Sequence, residues 1–353
     1  MPTTQIQTLI PTIVEQLRRV QEGDSSIEHI IPYESPTDEQ LLEGVLFLKP
    51  EATDLLHGVN VEEVLLLLNK YIEEWGLQVG GLSLIGSEFL KRYDIIARHY
   101  GVLNNISRQG MSALSDAAKQ QLHELFGSDL AKGAIVLGAH EAIARFPEFS
   151  PPILNSIVDN IGSKKLAPGT YCSKWKYGDD ILLLLNAFHP YQLEHFTAPQ
   201  RAIAVLDVRC HPANSDWRTL RNDMLGVTDP EAANQGSMRQ IFLDRRPELK
   251  ISTISRGYNA VHFSAGPLEG MVETIRYFSD YANQRPVDIS MTCFGQLLLD
   301  KSFDRSDIEW LMANPTVSIN GVQAPAFDLG EEIQPADAVR QLKEALANRP
   351  GQK

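Results

Sequence analysis

The chain has 353 residues, enough for one large domain or two modest ones. Hydrophobic residues make up 43% of it, which suffices for a packed core and argues against intrinsic disorder. Lysine and arginine total 32 and aspartate and glutamate total 45, so the formal net charge is −13. This acidity disfavours a protein that coats nucleic acid, because such proteins need a basic surface. A local basic pocket for phosphate groups stays open.

The sequence predicts neither a membrane span nor an export signal. No apolar run reaches the roughly 18–20 residues that a membrane helix needs. The beginning of the chain predicts an amphipathic helix rather than a signal peptide, since no basic segment precedes an apolar stretch. Cys172, Cys210 and Cys293 are scattered without a CxxC pair, which is typical of free thiols in a reducing compartment. We therefore expect a cytoplasmic protein.

The first third of the chain alternates between predicted helices and strands. Residues 6–20 carry apolar side chains at helical spacing, and GVLFLKP at 44–50 is a short apolar run that ends in proline, as buried strands do. A second amphipathic helix follows, and Gly76 is placed to end it. Residues 77–85 predict another strand, and 87–100 predict another helix.

Residues 105–187 interrupt this alternation. Predicted helices at 112–125 and 150–161 lie among turns that contain proline and glycine, and an apolar strand, ILLLL, follows at 181–185. The segment 164–177 is locally basic and aromatic. One interpretation is a lid that contacts a phosphorylated acceptor; the others are a solvated surface and an oligomerisation element.

Regular structure resumes in the last part of the chain. Residues 201–208 predict a strand, and a short strand contains His262. A strong amphipathic helix is expected at 267–283, and two more helices at 306–313 and 335–347.

The segment 256–264 has features that suit phosphoryl transfer. The sequence contains no Walker A loop, GxGxxG, HExxH or GxSxG motif, and no set of histidines at metal-ligand spacing. In the segment RGYNAVHFS, however, His262 lies in a predicted strand, Ser264 follows, and a helix begins directly afterwards. An imidazole there can act as a nucleophile, while a hydroxyl and the helix N-terminus receive phosphate oxygens. Taken alone, His262 also fits a packed core histidine.

Several motifs occur in a fixed order around this segment. They are Lys49-Pro50 after a strand, Gly226-Val227-Thr228-Asp229-Pro230, Arg239 eleven residues after Thr228, Asn259-x-x-His262-x-Ser264, and Glu273 eleven residues after His262. In order and local spacing the chain resembles the nucleoside diphosphate kinase family over about half of its length. Matching order makes the set more specific than any single motif.

This resemblance implies a fold and a division of the chain. The expected fold class is α/β (α+β), a ferredoxin-like sandwich whose antiparallel sheet is covered by helices on one face, interrupted by a mainly helical insertion. The expected segments are a helical extension at 1–43, a kinase-like core at 44–104 and 188–283, the insertion at 105–187, and a C-terminal extension at 284–353.

The resemblance also implies roles for individual residues. His262 would be the nucleophile that accepts the phosphate, and Glu273 would orient it. The residues expected to bind nucleotide and phosphate are Lys49, Tyr100, Arg221, Thr228, Arg239, Asn259 and Ser264, with Tyr191 as the base-stacking candidate. Mg²⁺ would arrive with the nucleotide phosphates, since no carboxylate cluster is dedicated to it. Family members form homo-oligomers, so the resemblance implies a homo-oligomer, but the insertion could cover or replace those interfaces and leaves the oligomeric state open.

The chain also departs from the family pattern. The loop Gly226–Pro230 is called the Thr loop here. Where the family has an arginine before this loop, this chain has Asn222, and Arg221 lies one residue earlier. Phe263 replaces a small residue and is expected to narrow or reshape the mouth of the site, and Ala265 replaces an aspartate. The spacing between Arg239 and Asn259 is about twice that of the family.

The expected function is a transferase: an ATP-binding kinase of nucleotide metabolism. It would move the terminal phosphate of a nucleoside triphosphate to a nucleoside diphosphate, or to a modified nucleotide, through phospho-His262. The alternative is a nucleotide-binding regulatory or scaffolding module that keeps the fold with reduced turnover. The sequence leaves the acceptor and the base preference open.

Overall fold

The computed structural model describes residues 6–38, 40–319 and 322–349. The chain divides into two compact units. Unit 1 comprises Met1–Phe89 and Pro199–Lys353, and unit 2 comprises Leu90–Ala198. Unit 2 thus begins before and ends after the interval 105–187 that the sequence suggested as an insertion.

Unit 1 is built on an antiparallel sheet. Its strands are β1 (Ile27–Ile31), β2 (Leu42–Leu48), β3 (Gln78–Gly86), β8 (Ala202–Cys210) and β9 (Val261–Phe263). The spatial order is β1-β3-β8-β2-β9, and each neighbouring pair is antiparallel. The α+β class with antiparallel sheets, predicted from the sequence, is confirmed.

The helices of unit 1 connect and cover these strands. They are α1 (Ile6–Glu22), α2 (Pro50–Thr53), α3 (Val61–Glu74), α4 (Ser87–Arg92), α11 (Trp217–Thr219), α12 (Met238–Asp244), α13 (Arg246–Leu249), α14 (Pro267–Phe278), α15 (Cys293–Asp300), α16 (Arg305–Met312) and α17 (Pro335–Ala347). Helix α4 contains the point where the chain passes into unit 2. The path β2-α3-β3, then β8-α12-β9, gives the ferredoxin-like connectivity, with unit 2 inserted between β3 and β8.

Helices cover both faces of the sheet, not one face as the sequence analysis expected. Every residue of β2 and β8 is buried, which requires cover on both sides. One face packs against α1 and α3 through an apolar cluster that includes Leu46 and Leu206. On the other face Phe47 contacts Tyr277 of α14, with ring centroids 5.7 Å apart. The sequence pattern predicted this helix at 267–283; it begins at Pro267 as expected but already ends at Phe278.

The face under α14 carries a buried charged cluster. Arg209 Nε lies 2.8 Å from Asp207 Oδ2 and 3.3 Å from Glu43 Oε1. The Tyr33 hydroxyl donates to the same Glu43 oxygen at 3.0 Å. Two carboxylates therefore share one guanidinium in the interior. Burial first, and the neighbouring Glu43 second, raise the pKa of Asp207 well above its usual range.

The C-terminal part of the chain forms a second apolar core of unit 1. Helix α14 contributes Leu268 and Met271 to it, and α15, α16 and α17 pack around them. Strands β10 (Thr316–Ile319) and β11 (Val322–Pro325) form an antiparallel pair beside these helices. The segment that the sequence treated as an extension, 284–353, thus shares its core with α14, the helix that carries Glu273.

Unit 2 combines helices with a sheet of its own. The helices are α5 (Ile95–His99), α6 (Gly101–Gln109), α7 (Asp116–Ala131), α8 (Ala139–Arg145), α9 (Pro151–Ile161) and α10 (His189–Thr197). The strands are β4 (Ile135–Gly138), β5 (Lys164–Ala167), β6 (Thr170–Tyr177) and β7 (Asp180–Leu185), in the order β4-β7-β6-β5. Only β7 was expected from the sequence. The basic segment 164–177 forms β5 and β6, where Lys174 pairs with Asp129 at 2.7 Å.

Candidate active site

Strand β9 holds His262 at the edge of the unit 1 sheet. His262 pairs with Phe47 of β2, and the two rings stack with centroids 4.5 Å apart and 24° between their planes. The histidine side chain keeps 14% of its surface exposed. The Phe47 ring packs against one side of the imidazole and holds its orientation. The exposed part of the imidazole is accessible to a small group.

A chain of hydrogen bonds orients the imidazole. Glu273 on α14 is fully buried, and its Oε2 lies 3.0 Å from His262 Nε2. The Ser264 hydroxyl donates to the same Oε2 at 2.5 Å and itself accepts the Val45 N–H at 2.8 Å. An ionised Glu273 accepts both of these hydrogen bonds, and in that state Nε2 carries the proton while Nδ1 keeps the lone pair that a nucleophile needs.

Lys49 and Asn259 form a second polar group beside β9. Lys49 follows β2 directly, and its Nζ donates to Asn259 Oδ1 at 2.7 Å. Asn259 Nδ2 in turn donates to the backbone carbonyl of Thr228 at 2.9 Å. Burial lowers the pKa of Lys49 to about 8; Glu51 opposes this shift, and Arg239 adds to it. Thr228 therefore joins this group through its backbone carbonyl, and Thr228 is exposed to solvent.

Arg239 lies inside the protein between the Thr loop and β9. Its Nη1 donates to the carbonyl of Gly226 at 2.9 Å, and its Nη2 donates to the carbonyl of Val261 at 3.2 Å. Only 5% of the residue is exposed. The guanidinium therefore connects the Thr loop to the strand of His262 by hydrogen bonds. It also places positive charge near Lys49.

Arg221 lies in a π-helical turn, Leu220–Leu225. The Gly226 N–H donates to the Arg221 carbonyl at 3.1 Å, five residues back, as a π turn requires. Such a turn holds one residue more than an α-helical turn, and the resemblance had implied an arginine one residue later, at Asn222. Arg221 Nη1 donates to the carbonyl of Phe263 at 2.8 Å, and its Nη2 lies 3.6 Å from Glu331.

Phe263 does not narrow the site, contrary to the expectation from the sequence. Its ring stacks on Trp217 with centroids 5.3 Å apart, and it belongs to the apolar core under α1 and α3. Successive residues of a strand point to opposite faces, so Phe263 lies on the face away from His262. The large side chain fills the core instead.

Two predicted residues lie in unit 2. Tyr100 follows α5 and contacts the ring of His189, with centroids 6.3 Å apart. Tyr191 is half-buried in α10. Their participation in a site with His262 stays a prediction. The other candidates lie in unit 1, on or beside β9: Lys49, Arg221, Thr228, Arg239, Asn259, Ser264 and Glu273.

Sequence reasoning missed two acidic residues next to this group. Glu51 accepts the Ala260 N–H at 2.8 Å, and Glu269 accepts the Ala265 N–H at 2.7 Å. Burial, followed by the charge of Glu273, raises the pKa of Glu269 to about 8. A weak signal was present for both, since each carboxylate lies in the first turn of a helix that opens with proline.

No family model matches the chain, and no curated protein matches it. Among solved structures, a crystal structure of an NDP kinase from Pyrobaculum aerophilum is similar at 14% sequence identity and a TM-score of 0.33. The match covers 68% of this chain and 97% of that chain. A similarity of this size carries no argument about activity.

No helix among the described residues is long and apolar enough to cross a bilayer.

Proposed function

We propose that the chain is a phosphotransferase of the nucleoside diphosphate kinase type, acting through phospho-His262. The observation that carries the proposal is the hydrogen-bonded chain Ser264–Glu273–His262, with Glu273 Oε2 at 3.0 Å from Nε2. It leaves Nδ1 as the nucleophilic atom and provides a buried negative charge for the imidazolium that forms on attack.

In the first half-reaction, Nδ1 of His262 attacks the terminal phosphorus of a nucleoside triphosphate. An N–P bond forms, the bond between the phosphorus and the bridging oxygen breaks, and its electron pair leaves with the nucleoside diphosphate. The Nε2 proton stays hydrogen-bonded to Glu273. In the second half-reaction a terminal phosphate oxygen of the acceptor attacks the same phosphorus and releases the histidine.

Three cationic side chains beside β9 support binding of a polyphosphate. Lys49, Arg239 and Arg221 each bond to an atom of the loops or strand around His262. Positive charge there would stabilise the charge that spreads over the transferred group. Mg²⁺ is proposed to enter with the phosphates of the nucleotide substrate.

A nucleotide-binding module without turnover is the second candidate. One observation favours it: both terminal nitrogens of Arg239 donate to backbone carbonyls, which reduces what the guanidinium can offer to a phosphate. The two candidates differ in one measurable respect, since only the first forms a covalent phosphohistidine.

The deciding experiment is incubation with γ-labelled ATP and Mg²⁺, followed by acid or base treatment. We expect label that is lost in acid and survives base, that ³¹P NMR assigns to Nδ1, and that nucleoside diphosphates remove. His262→Asn should abolish it, while the matched control His123→Asn, an exposed histidine of α7, should not. Nucleotide binding without label would favour the second candidate and overturn the first.

A further inference from the structure

Ala260 has an unusual backbone conformation between Asn259 and β9. Its φ is +63°, in the left-handed region, although it is not glycine and is fully buried. Non-glycine residues occupy this region at an energetic cost and persist there when the surrounding structure holds them. The contacts that hold Ala260 in this conformation therefore also affect the positions of the residues on either side of it.

The segment that begins with Lys49 holds Ala260 at both of its backbone polar groups. The Glu51 carboxylate accepts the Ala260 N–H at 2.8 Å, and the Lys49 N–H donates to the Ala260 carbonyl at 2.8 Å. Glu51 is itself buried, with 7% of its surface exposed. The turn that joins Asn259 to the strand of His262 is thus fixed against the end of β2.

Glu51 also lies among buried cations. The groups that face the Lys49 ammonium are Glu51 from α2, Arg239 from α12 and the amide of Asn259. Burial and Arg239 lower the pKa of Lys49, and the negative charge of Glu51 raises it. Removing that charge would leave two cations in the interior with less compensation.

We propose that Glu51 is a positioning residue for the phosphotransfer: its carboxylate fixes the Ala260 turn and maintains the charge of Lys49. This inference rests on the proposed function. Glu51 acts through the Ala260 backbone and through Lys49. It would place Asn259 and Lys49 against the phosphates while His262 reacts.

Two substitutions separate the two parts of this role. Glu51→Gln keeps a carbonyl oxygen for the Ala260 N–H and removes the charge. We therefore expect an intact fold and an alkaline limb of the kcat/KM profile that is shifted to lower pH.

Glu51→Ala removes both the charge and the carbonyl oxygen, and kcat should fall roughly 10- to 100-fold because Asn259 and Lys49 are misplaced. Adding Ala260→Gly to Glu51→Ala should recover part of kcat, because glycine adopts this φ without a partner. Glu62→Gln, an exposed carboxylate of α3, is the matched control and should match the wild-type chain.

A measurement that needs no turnover completes the test. NMR titration of selectively labelled lysine should give a lower Lys49 pKa in Glu51→Gln than in the wild-type chain. An unchanged Lys49 pKa together with an unchanged pH profile would overturn the inference. A wild-type chain that forms no phosphohistidine would overturn the proposed function instead, while a lowered Lys49 pKa in Glu51→Gln would still support the electrostatic part of the inference.

Discussion

Glu273 lies 3.0 Å from His262 Nε2, although the two residues belong to different elements, a helix and the edge strand that precedes it. Because the carboxylate is fully buried, water does not screen the interaction. Its position determines which imidazole nitrogen bonds to the carboxylate and which one faces away from it.

Glu273→Gln should slow the formation of phosphohistidine by roughly 100-fold, since the amide carries no charge to stabilise the developing imidazolium. Rapid-quench measurement of the first half-reaction gives the rate directly. Glu309→Gln, an exposed position on α16, serves as the control. An unchanged phosphorylation rate would mean that Glu273 has no part in the chemistry.

Arg239→Ala should reduce stability as well as turnover. Besides the phosphate contact proposed for it, the guanidinium satisfies the carbonyls of Gly226 and Val261. Leaving these buried groups unsatisfied should cost about 2 kcal/mol. Urea unfolding measures this loss, with exposed Arg246→Ala as the control. If the unfolding midpoint stays at the wild-type value while turnover is lost, Arg239 acts on the phosphate alone.

The Asp207 cluster should make stability depend on pH. The pKa of Asp207 is raised in the folded state, so the folded chain binds more protons than the unfolded chain above about pH 4. This contribution is complete below the unfolded pKa and is lost as pH rises toward the folded pKa. The free energy of unfolding should therefore fall with rising pH through that interval, and Asp207→Asn should flatten the decrease.

Urea unfolding at about pH 5 and about pH 8 tests this dependence. The exposed carboxylate variant Asp300→Asn should keep the wild-type slope. A slope that is the same in Asp207→Asn and in the wild-type chain would show that the cluster does not titrate in this range.

Gly80→Ala should destabilise unit 1. The register of β3 against β8 shifts between Val79 and Gly81, and a Cβ on Gly80 would overlap Asp207 Oδ2 and Arg209 Cζ. Because Glu43 lies next to these side chains and limits their movement, we expect the free energy of unfolding to fall by about 1–3 kcal/mol. Thermal unfolding measures it. Gly257→Ala, whose Cβ meets nothing within 4 Å, should leave the unfolding temperature nearly unchanged.

Much of unit 1 could be predicted from the sequence. The amphipathic pattern of α3 gave a helix that Gly76 ends, and Gly76 indeed adopts φ +58°. Strands β2, β3 and β8 were predicted because each is a short apolar run between turn residues. Strand β1 and helix α15 were missed, since a short mixed segment contains too few residues to show a period.

For the candidate site, the sequence by itself determined which residue types follow one another: Lys49 after a strand, and His262 and Glu273 eleven residues apart. Only the tertiary structure decided that Glu51 binds the backbone of Ala260, that Arg239 ties two carbonyls together, and that Phe263 faces the core. Local patterns record how neighbouring residues fold, whereas these contacts join residues far apart in the chain. Their partners are selected by the packing of the whole sheet against its helices, which no local period encodes.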